Sequence, residues 1–344
     1  MCRNATMNAE TGSERHGEEI LIVGLNWLGD SIMSMPAIQA FRRAHPGSSL
    51  AMLARPPVAG LWKLSPAIDE TIVCPGSLAA IVRTAAAIRG RFTAAYVLPG
   101  SFRAGLVPFL AGIPRRIGRR GHWRPWLISE IAPRPAGEGA SHQALEYASV
   151  FGIELPPGAV PEIIIKPDLA AAAEKLLPDK KKPWIGLMPG AARGPSKCWP
   201  EDYFAASGSL MARDFNCHIA LFGSPADREI CARIGDVIGT GAVNLAGRTS
   251  LPELAALMQR CSVVIGNDSG GAHLASAAGA AVIVIFGITS PGKTRPLGAR
   301  VLVLQNSASS ARDIPRRSEL AAGALRNITP EMVVNAAGKI IGGC

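Results

Sequence analysis

The sequence predicts an α/β protein of two Rossmann-like domains, each built on a parallel sheet, facing each other across a central cleft. Three observations carry this. Short apolar runs alternate with polar loops and helical patterns along nearly the whole chain, which is the rhythm of repeated β-α units. The series occurs twice, on either side of a proline-punctuated stretch between about Leu155 and Pro183. Val263 to Gly287, VVIGNDSGGAHLASAAGAAVIVIFG, holds a complete strand, loop, helix, strand unit, and loops at the carboxyl ends of such strands are where open sheets bind ligands.

Taken in order, residues 1–19 are polar, of mixed charge and without the apolar core of a signal peptide, so a disordered tail is expected. The first domain, 20–160, opens on the apolar strand Ile20 to Val23. The loop Gly24 to Gly29 follows, then a helix marked by Ile32, Met33, Met35, Ile38 and Phe41 that ends near His45, Pro46 and Gly47. Further strands fit Ser49 to Ala54, Glu70 to Val73 and Ala94 to Leu98, with helical patterns between them, notably Leu78 to Ile88. Pro156, Pro157 and Pro161 then interrupt the chain, and an inter-domain segment is expected over 161–182, including an Ala-rich helix from Leu169 to Leu177.

The second domain, 183–328, repeats the pattern. Its strands are Trp184 to Met188, His218 to Phe222, Val243 to Leu245, Val263 to Ile265, Val282 to Phe286 and Val301 to Leu304. Ser250 and Glu253 form a capping box around Pro252, which starts the helix through Leu254, Leu257 and Met258. A C-terminal helix occupies 329–344, running from Thr329 and Pro330 to Ile341.

Composition narrows the class. A chain of 344 residues with 48% apolar and 18% charged residues can bury full cores, and none of its apolar runs approaches the roughly 20 residues of a membrane helix. A cytoplasmic protein is expected. Seven scattered cysteines without a C-x-x-C read as reduced thiols, not as a zinc site. The formal charge of +10 is concentrated: nine arginines and no acidic residue lie between Glu70 and Glu130. That basic face is either solvated or meets phosphates of a substrate or a membrane surface; nucleic acid fits poorly, since aromatics make up 5% and no recognition motif is present.

Several motifs mislead. Gly287 to Thr294 spells G-x-x-x-x-G-K-T, but Pro296, Gly298 and the next strand leave too little chain for the helix a P-loop requires, so a turn at the cleft edge is expected. Neither G-x-G-x-x-G nor G-x-S-x-G occurs, which removes the main support for a dinucleotide oxidoreductase or an esterase. Without a D-x-D pair, a diphosphate would be neutralised by protein cations and helix ends, with no cofactor and no metal expected.

Other residues carry chemistry. In NDSGG the N–H groups of Ser269, Gly270 and Gly271 would open a helix unpaired, and the two glycines would let a ligand approach the main chain. Asp268 beside them can accept from sugar hydroxyls; the alternative is an Asx cap with glycines for tight packing. Lys197, in PGAARGPSKCWP after the first strand of the second domain, is either the cation for a leaving diphosphate or an exposed loop lysine. Trp199 reads as a packing residue at a helix start, the alternative being a stacking platform. Asp227 and Glu229 either bind ribose hydroxyls or are helix-terminal acids. Asp30, where the opening loop meets its helix, is a candidate base for a sugar hydroxyl, or an N-cap.

Six blocks together bring in a resemblance: GLNWLGDSIMSMPA, LPGSFRAGLVPFLAGIPRRIG, PGAARGPSKCWP, LFGSPADRE, NLAGRTSL and NDSGGAHLASA, spread in order from about Ile20 to Val334. The chain resembles the bacterial ADP-heptose:lipopolysaccharide heptosyltransferases, glycosyltransferase family 9, which have the GT-B fold. The resemblance implies transfer of heptose from ADP-L-glycero-D-manno-heptose to a heptose of the lipopolysaccharide inner core by a single inverting displacement. It implies Asp30 as catalytic base. It implies donor contacts at Ser196, Lys197, Glu229, Leu245, Gly247, Asp268, Ser269, Gly270 and His273, and the stretch Leu245 to Leu251 near the adenine. The arginine-rich stretch, through Arg103, Arg115, Arg119 and Arg120, would meet the phosphorylated, lipid-anchored acceptor, with peripheral contact at the cytoplasmic face of the inner membrane. Arg193 stands where relatives often carry an acid, and Gly271 and Ala272 replace larger residues; these departures bear on which sugar and acceptor are used. The rival readings are another sugar transferase or a nucleotide-sugar epimerase on the same architecture, or a non-catalytic sugar-nucleotide-binding protein.

Overall fold

Two six-stranded sheets, parallel throughout, organise the chain in a computed structural model that describes residues 17–121, 125–133, 141–191, 197–305 and 319–342. In the first half the elements follow as β1 (Glu19–Val23), α1 (Leu28–Ala44), β2 (Ser49–Ala54), α2 (Pro56–Trp62), β3 (Glu70–Val73), α3 (Leu78–Ala87), β4 (Ala94–Val97), α4 (Phe102–Leu110), β5 (Arg115–Gly118) and β6 (Glu130–Ile131). Helices α5 (Gln143–Val150) and α6 (Pro167–Leu176) lead to the second half. There β7 (Trp184–Met188), α7 (Glu201–Asp214), β8 (His218–Leu221), α8 (Arg228–Ile238), β9 (Ala242–Asn244) and α9 (Leu251–Gln259) come first. They are followed by β10 (Val263–Asn267), α10 (Gly270–Ala277), β11 (Val282–Phe286), α11 (Pro291–Thr294), β12 (Val301–Gln305), α12 (Glu319–Arg326) and α13 (Pro330–Ile341).

The strand orders are β3-β2-β1-β4-β5-β6 and β9-β8-β7-β10-β11-β12, so each half has the order 3-2-1-4-5-6 counted from its own first strand. In that order the direction of winding reverses between the first and fourth strands, and a crevice opens there at the carboxyl ends. One switch point therefore lies between β1 and β4, the other between β7 and β10.

Central strands are covered on both faces, which is why they read as unbroken apolar runs. β7, β10 and β11 are buried along their whole length, and Ile20 to Val23 are at most 5% exposed. A contiguous cluster of buried side chains joins the halves, with Phe41, Met52 and Leu98 from the first and Met188, Leu257 and Phe286 from the second. Expected helix starts are present. The Ser250–Glu253 capping box closes in both directions, and Thr329 accepts from the Met332 N–H to open α13.

Two strands escape the apolar pattern. β6, at the sheet edge, has two exposed residues, because an edge position needs little burial, and β5 beside it is RRIG, buried only at Ile117 and Gly118. Arg116 within β5 satisfies itself by donating to the carbonyls of Ile113 and Leu127. The P-loop-like stretch also departs from expectation: a one-turn helix, α11, does form, but Lys293 lies near its end where a phosphate cradle would place it at the start. The five described cysteines Cys74, Cys198, Cys217, Cys231 and Cys261 are free, and burial pushes the Cys231 thiol up to about 12.

Candidate active site

At the first switch point the turn after β1 is pinned by Ser31, a fully buried residue whose hydroxyl donates to the Leu25 carbonyl at 3.2 Å. α1 starts at Leu28 with Trp27 as its N-cap, so Asp30 is not the cap but the third residue of the helix. Its carboxylate still sits in the first turn, where the helix end favours the ionised form. Asp30 is half-buried, and α5 packs over α1 beside it. Tyr147 of α5 reports the proximity: burial chiefly, and then the charges of Asp30 and Glu146, push its phenol far above its ordinary value. Gln143 donates to the Tyr147 hydroxyl at 2.7 Å, and Arg119 pairs with Glu146 at 2.7 Å on the same helix.

At the second switch point the controlling residue is Asn267, the last of β10 and fully buried. Its Nδ2 donates to the Pro189 carbonyl and its Oδ1 accepts from the Trp199 N–H, both at 2.8 Å, so it holds both ends of the loop that carries Lys197. Trp199 is fully buried and donates from its indole to the Ile328 carbonyl at 2.8 Å, the packing role expected of it. Lys197 itself is ion-paired with the Asp268 carboxylate, to which Thr289 also donates, at 2.8 Å. The side chains of Lys197 and Asp268 are 17% and 6% exposed. Asp268 is thus not an Asx cap: α10 is capped by Ser269, with no side-chain bond to its first N–H groups.

The two switch points meet. A Cβ at Gly270 would lie 2.8 Å from Leu28 Cβ and 3.0 Å from the Gly29 nitrogen, so the first turn of α10 touches the first turn of α1. A Cβ at Gly271 would collide with the Met188 side chain. On the Cβ side, then, the space beside each glycine is filled by protein from the opposite half or the neighbouring strand. His273 is 4% exposed at the same seam, its ring against Gly29, and its Nδ1 has no hydrogen-bond partner. Burial pushes the imidazole down to about 4 against the opposing pull of Asp268, so it is neutral at pH 7. A further bond crosses between the halves. His142 accepts from the Ala144 N–H at Nδ1, so Nε2 carries the proton that reaches the Arg295 carbonyl at 2.9 Å.

The remaining expected donor contacts lie along the carboxyl ends of β8 and β9. Leu245 is buried and its N–H extends the β8 ladder to Leu221; Gly247, at φ +67°, lies directly on Pro225. Asp227 caps its own turn by accepting from the Ser224 N–H and hydroxyl at 2.7 Å, and packs against Gly190 at the start of the Lys197 loop. Glu229 is exposed in the first turn of α8. Ser196 and Arg193 lie outside the described residues.

Of the expected acceptor arginines, Arg115 is bound bidentately by Glu130 (2.9 and 3.3 Å) and Arg119 by Glu146. Arg103 and Arg120 are exposed and form no ion pair among the described residues. Sequence reasoning missed Asn267, Thr289, Tyr147 and Gln143. The first stands inside the NDSGG motif and the second inside the false P-loop, so position was a signal for both.

Residues 81–322 match the family model for glycosyltransferase family 9 (heptosyltransferase). The chain belongs to glycosyltransferase family 9. Lipopolysaccharide heptosyltransferase 2 of Escherichia coli is 29% identical over 340 residues, covering 92% of this chain and 96% of that protein. Lipooligosaccharide heptosyltransferase 2 of Haemophilus influenzae is 30% identical over 338 residues, covering 92% and 97%. Among solved structures, E. coli ADP-heptose lps heptosyltransferase II superposes with a TM-score of 0.82 at 26% identity, covering 94% of this chain and 98% of that one. A family 9 glycosyl transferase from Veillonella parvula shares the fold at 22% identity, with a TM-score of 0.83 and coverage of 97% and 100%. This family 9 chain is a glycosyltransferase of GT-B architecture.

Proposed function

We propose that this family 9 enzyme transfers heptose from ADP-L-glycero-D-manno-heptose to a heptose of the lipopolysaccharide inner core, inverting the anomeric centre. One observation carries the proposal: Asp30 follows directly on Gly29, and Gly29 abuts the helix that Asp268 introduces. An acid from the first half therefore borders the loop that carries a lysine and a hydroxyl-accepting carboxylate from the second. The half spanning 20–160 would take the acceptor, and the half spanning 183–328 the nucleotide sugar.

In one displacement the acceptor hydroxyl oxygen bonds to the anomeric carbon as the bond to the ADP oxygen breaks, and the hydroxyl proton passes to Asp30. No covalent glycosyl intermediate is needed. Charge gathers on the departing diphosphate, and Lys197 answers it by moving from the Asp268 carboxylate to the phosphate oxygens, at low dielectric. Asp268, released, accepts from sugar hydroxyls. The backbone at Leu245 to Gly247 forms the far wall, beside the adenine, and Arg103, Arg119 and Arg120 meet acceptor phosphates. The names of the similar heptosyltransferases support this choice of donor and acceptor.

The test is incubation with ADP-heptose or UDP-sugars, with and without a truncated core acceptor, following released nucleotide and acceptor mass. A gain of one heptosyl unit, dependent on ADP-heptose, is expected. Nucleotide release that needs another donor, or sugar conversion with no acceptor present, overturns the proposal.

A further inference from the structure

The stretch that spells a P-loop without being one, residues 287–295, is tied down at both ends and reaches both halves of the molecule. At its start Thr289 donates to the Asp268 carboxylate at 2.8 Å, and Gln305 of β12 donates to the carbonyls of Gly287 and Thr289 at 2.8 and 2.9 Å. The short helix α11 follows, and the His273 imidazole is hydrogen-bonded to the backbone of Thr294. At its end the Arg295 carbonyl accepts from His142 of the first half, 153 residues away in the chain.

His142 is the N-cap of α5, where its Nδ1 accepts from the Ala144 N–H at 3.2 Å, so both ring nitrogens are committed. Burial holds the imidazole below its ordinary value, which preserves the neutral tautomer that this double role requires. Two other contacts between the halves lack direction: Gly270 lies against Leu28, and Gly60 of α2 against Pro252 of α9. Van der Waals contacts of that kind allow packed helices to slide a little, whereas a hydrogen bond of 2.9 Å fixes their register.

We infer that His142 is a positioning residue, which locks the helix lying over Asp30 to the turn that holds Asp268. α5 packs on α1, so its cap moves with the helix that bears the carboxylate of the first half. Residues 287–295 move with the carboxylate of the second half, which Thr289 grips. One contact outside the chemistry thereby sets the separation of the two acids, and a displacement of about 1 Å between reacting groups can cost about 10²-fold in rate. The consequence for turnover rests on the function proposed above; the lock itself does not.

The test separates the two ring nitrogens. His142→Asn keeps an acceptor for the Ala144 N–H but loses the donor to Arg295, while His142→Gln keeps a donor at the reach of Nε2. His273, 4% exposed at the seam, reports opening through its rate of modification by diethyl pyrocarbonate at pH 7, read by peptide mass with neither donor nor acceptor present. His142→Asn should melt within about 2 °C of wild type and speed that modification at least fivefold. It should also lower kcat about tenfold with both KM values within about twofold, since each ligand docks on its own half. His142→Gln should return the modification rate and kcat to within about twofold of wild type. A wild-type modification rate in His142→Asn overturns the inference, as does equal acceleration in both variants or acceleration with undiminished kcat. If the wild type moves no heptose, the transfer reading fails, while the modification rates still decide whether the lock exists.

Discussion

The two switch points share a strand order but are finished differently. Around β10 the polar groups bind one another: Asn267 spans the Lys197 loop, and Asp268 holds Lys197 and Thr289 out of water. Around β1 they are more open, with Asn26 and Trp27 exposed, Asp30 half-buried and Arg103 and Arg120 at the surface. A closed, cross-linked edge suits a ligand of fixed shape such as a nucleotide sugar, since a loop whose ends Asn267 already holds loses little freedom when the ligand arrives. An open, basic edge suits a large anionic acceptor whose outline the protein need not enclose.

That contrast can be broken or sharpened by substitution. The largest effect is expected on the open side: Asp30→Asn should lower kcat by about 10²–10⁴-fold while leaving donor affinity unchanged, as for loss of a general base. Titration of the variant with an inert donor analogue, beside single-turnover kinetics, checks both halves of that statement; wild-type turnover would remove Asp30 from the chemistry. On the closed side, Lys197→Ala leaves the Asp268 carboxylate buried without its partner, which costs about 3–5 kcal/mol of stability. The Lys197→Ala/Asp268→Asn double variant should recover part of it, and a thermal-melt cycle that shows no coupling would argue against the pair. Asn267→Ala should cost about 2–3 kcal/mol, from two buried backbone groups left unpaired, and should raise the donor KM while sparing the acceptor KM.

A smaller effect comes from pH. The neutral His273 has a value near 4 when folded against an ordinary 6.5, so the unfolded chain binds the extra proton first and stability falls as pH drops from about 6.5 towards 4. By pH 5 the loss is about 2 kcal/mol, and a His273→Gln variant should show a correspondingly flatter melting profile between pH 7 and 5. The smallest is Ser250→Ala, which removes half of a capping box and should cost about 1 kcal/mol with no change in donor affinity. Altered affinity there would mean that the closed edge extends to α9.

Most of the fold was legible because its central strands are covered on both faces and so appear as apolar runs of strand length. The ten strands expected from such runs all occur, each within two residues of its expected ends. β5 and β6 were not legible, since an arginine pair in a short strand next to the sheet edge looks the same in sequence whether or not it ladders. Asp268, Lys197 and Asp30 could be picked out because each follows a strand's carboxyl end. Their surroundings could not. Lys197 and Asp268 are 71 residues apart, Trp199 and Asn267 are 68 apart, and the burial of His273 is made by a helix from the other half. The glycines in NDSGG were partly legible for the same reason: closeness of approach was readable, but that Leu28 and Met188 lie on their Cβ side was not.

The contact of Gly29 with Gly270 sets the amino ends of α1 and α10 head to head. Each such end carries roughly half a positive elementary charge, so the two peptide dipoles repel where they join. Asp30, in the first turn of one helix, and Asp268, just ahead of the other, are the negative counterweights. An arriving diphosphate adds a third, so the halves should be pressed together most firmly while the nucleotide sugar is held and should loosen as ADP departs.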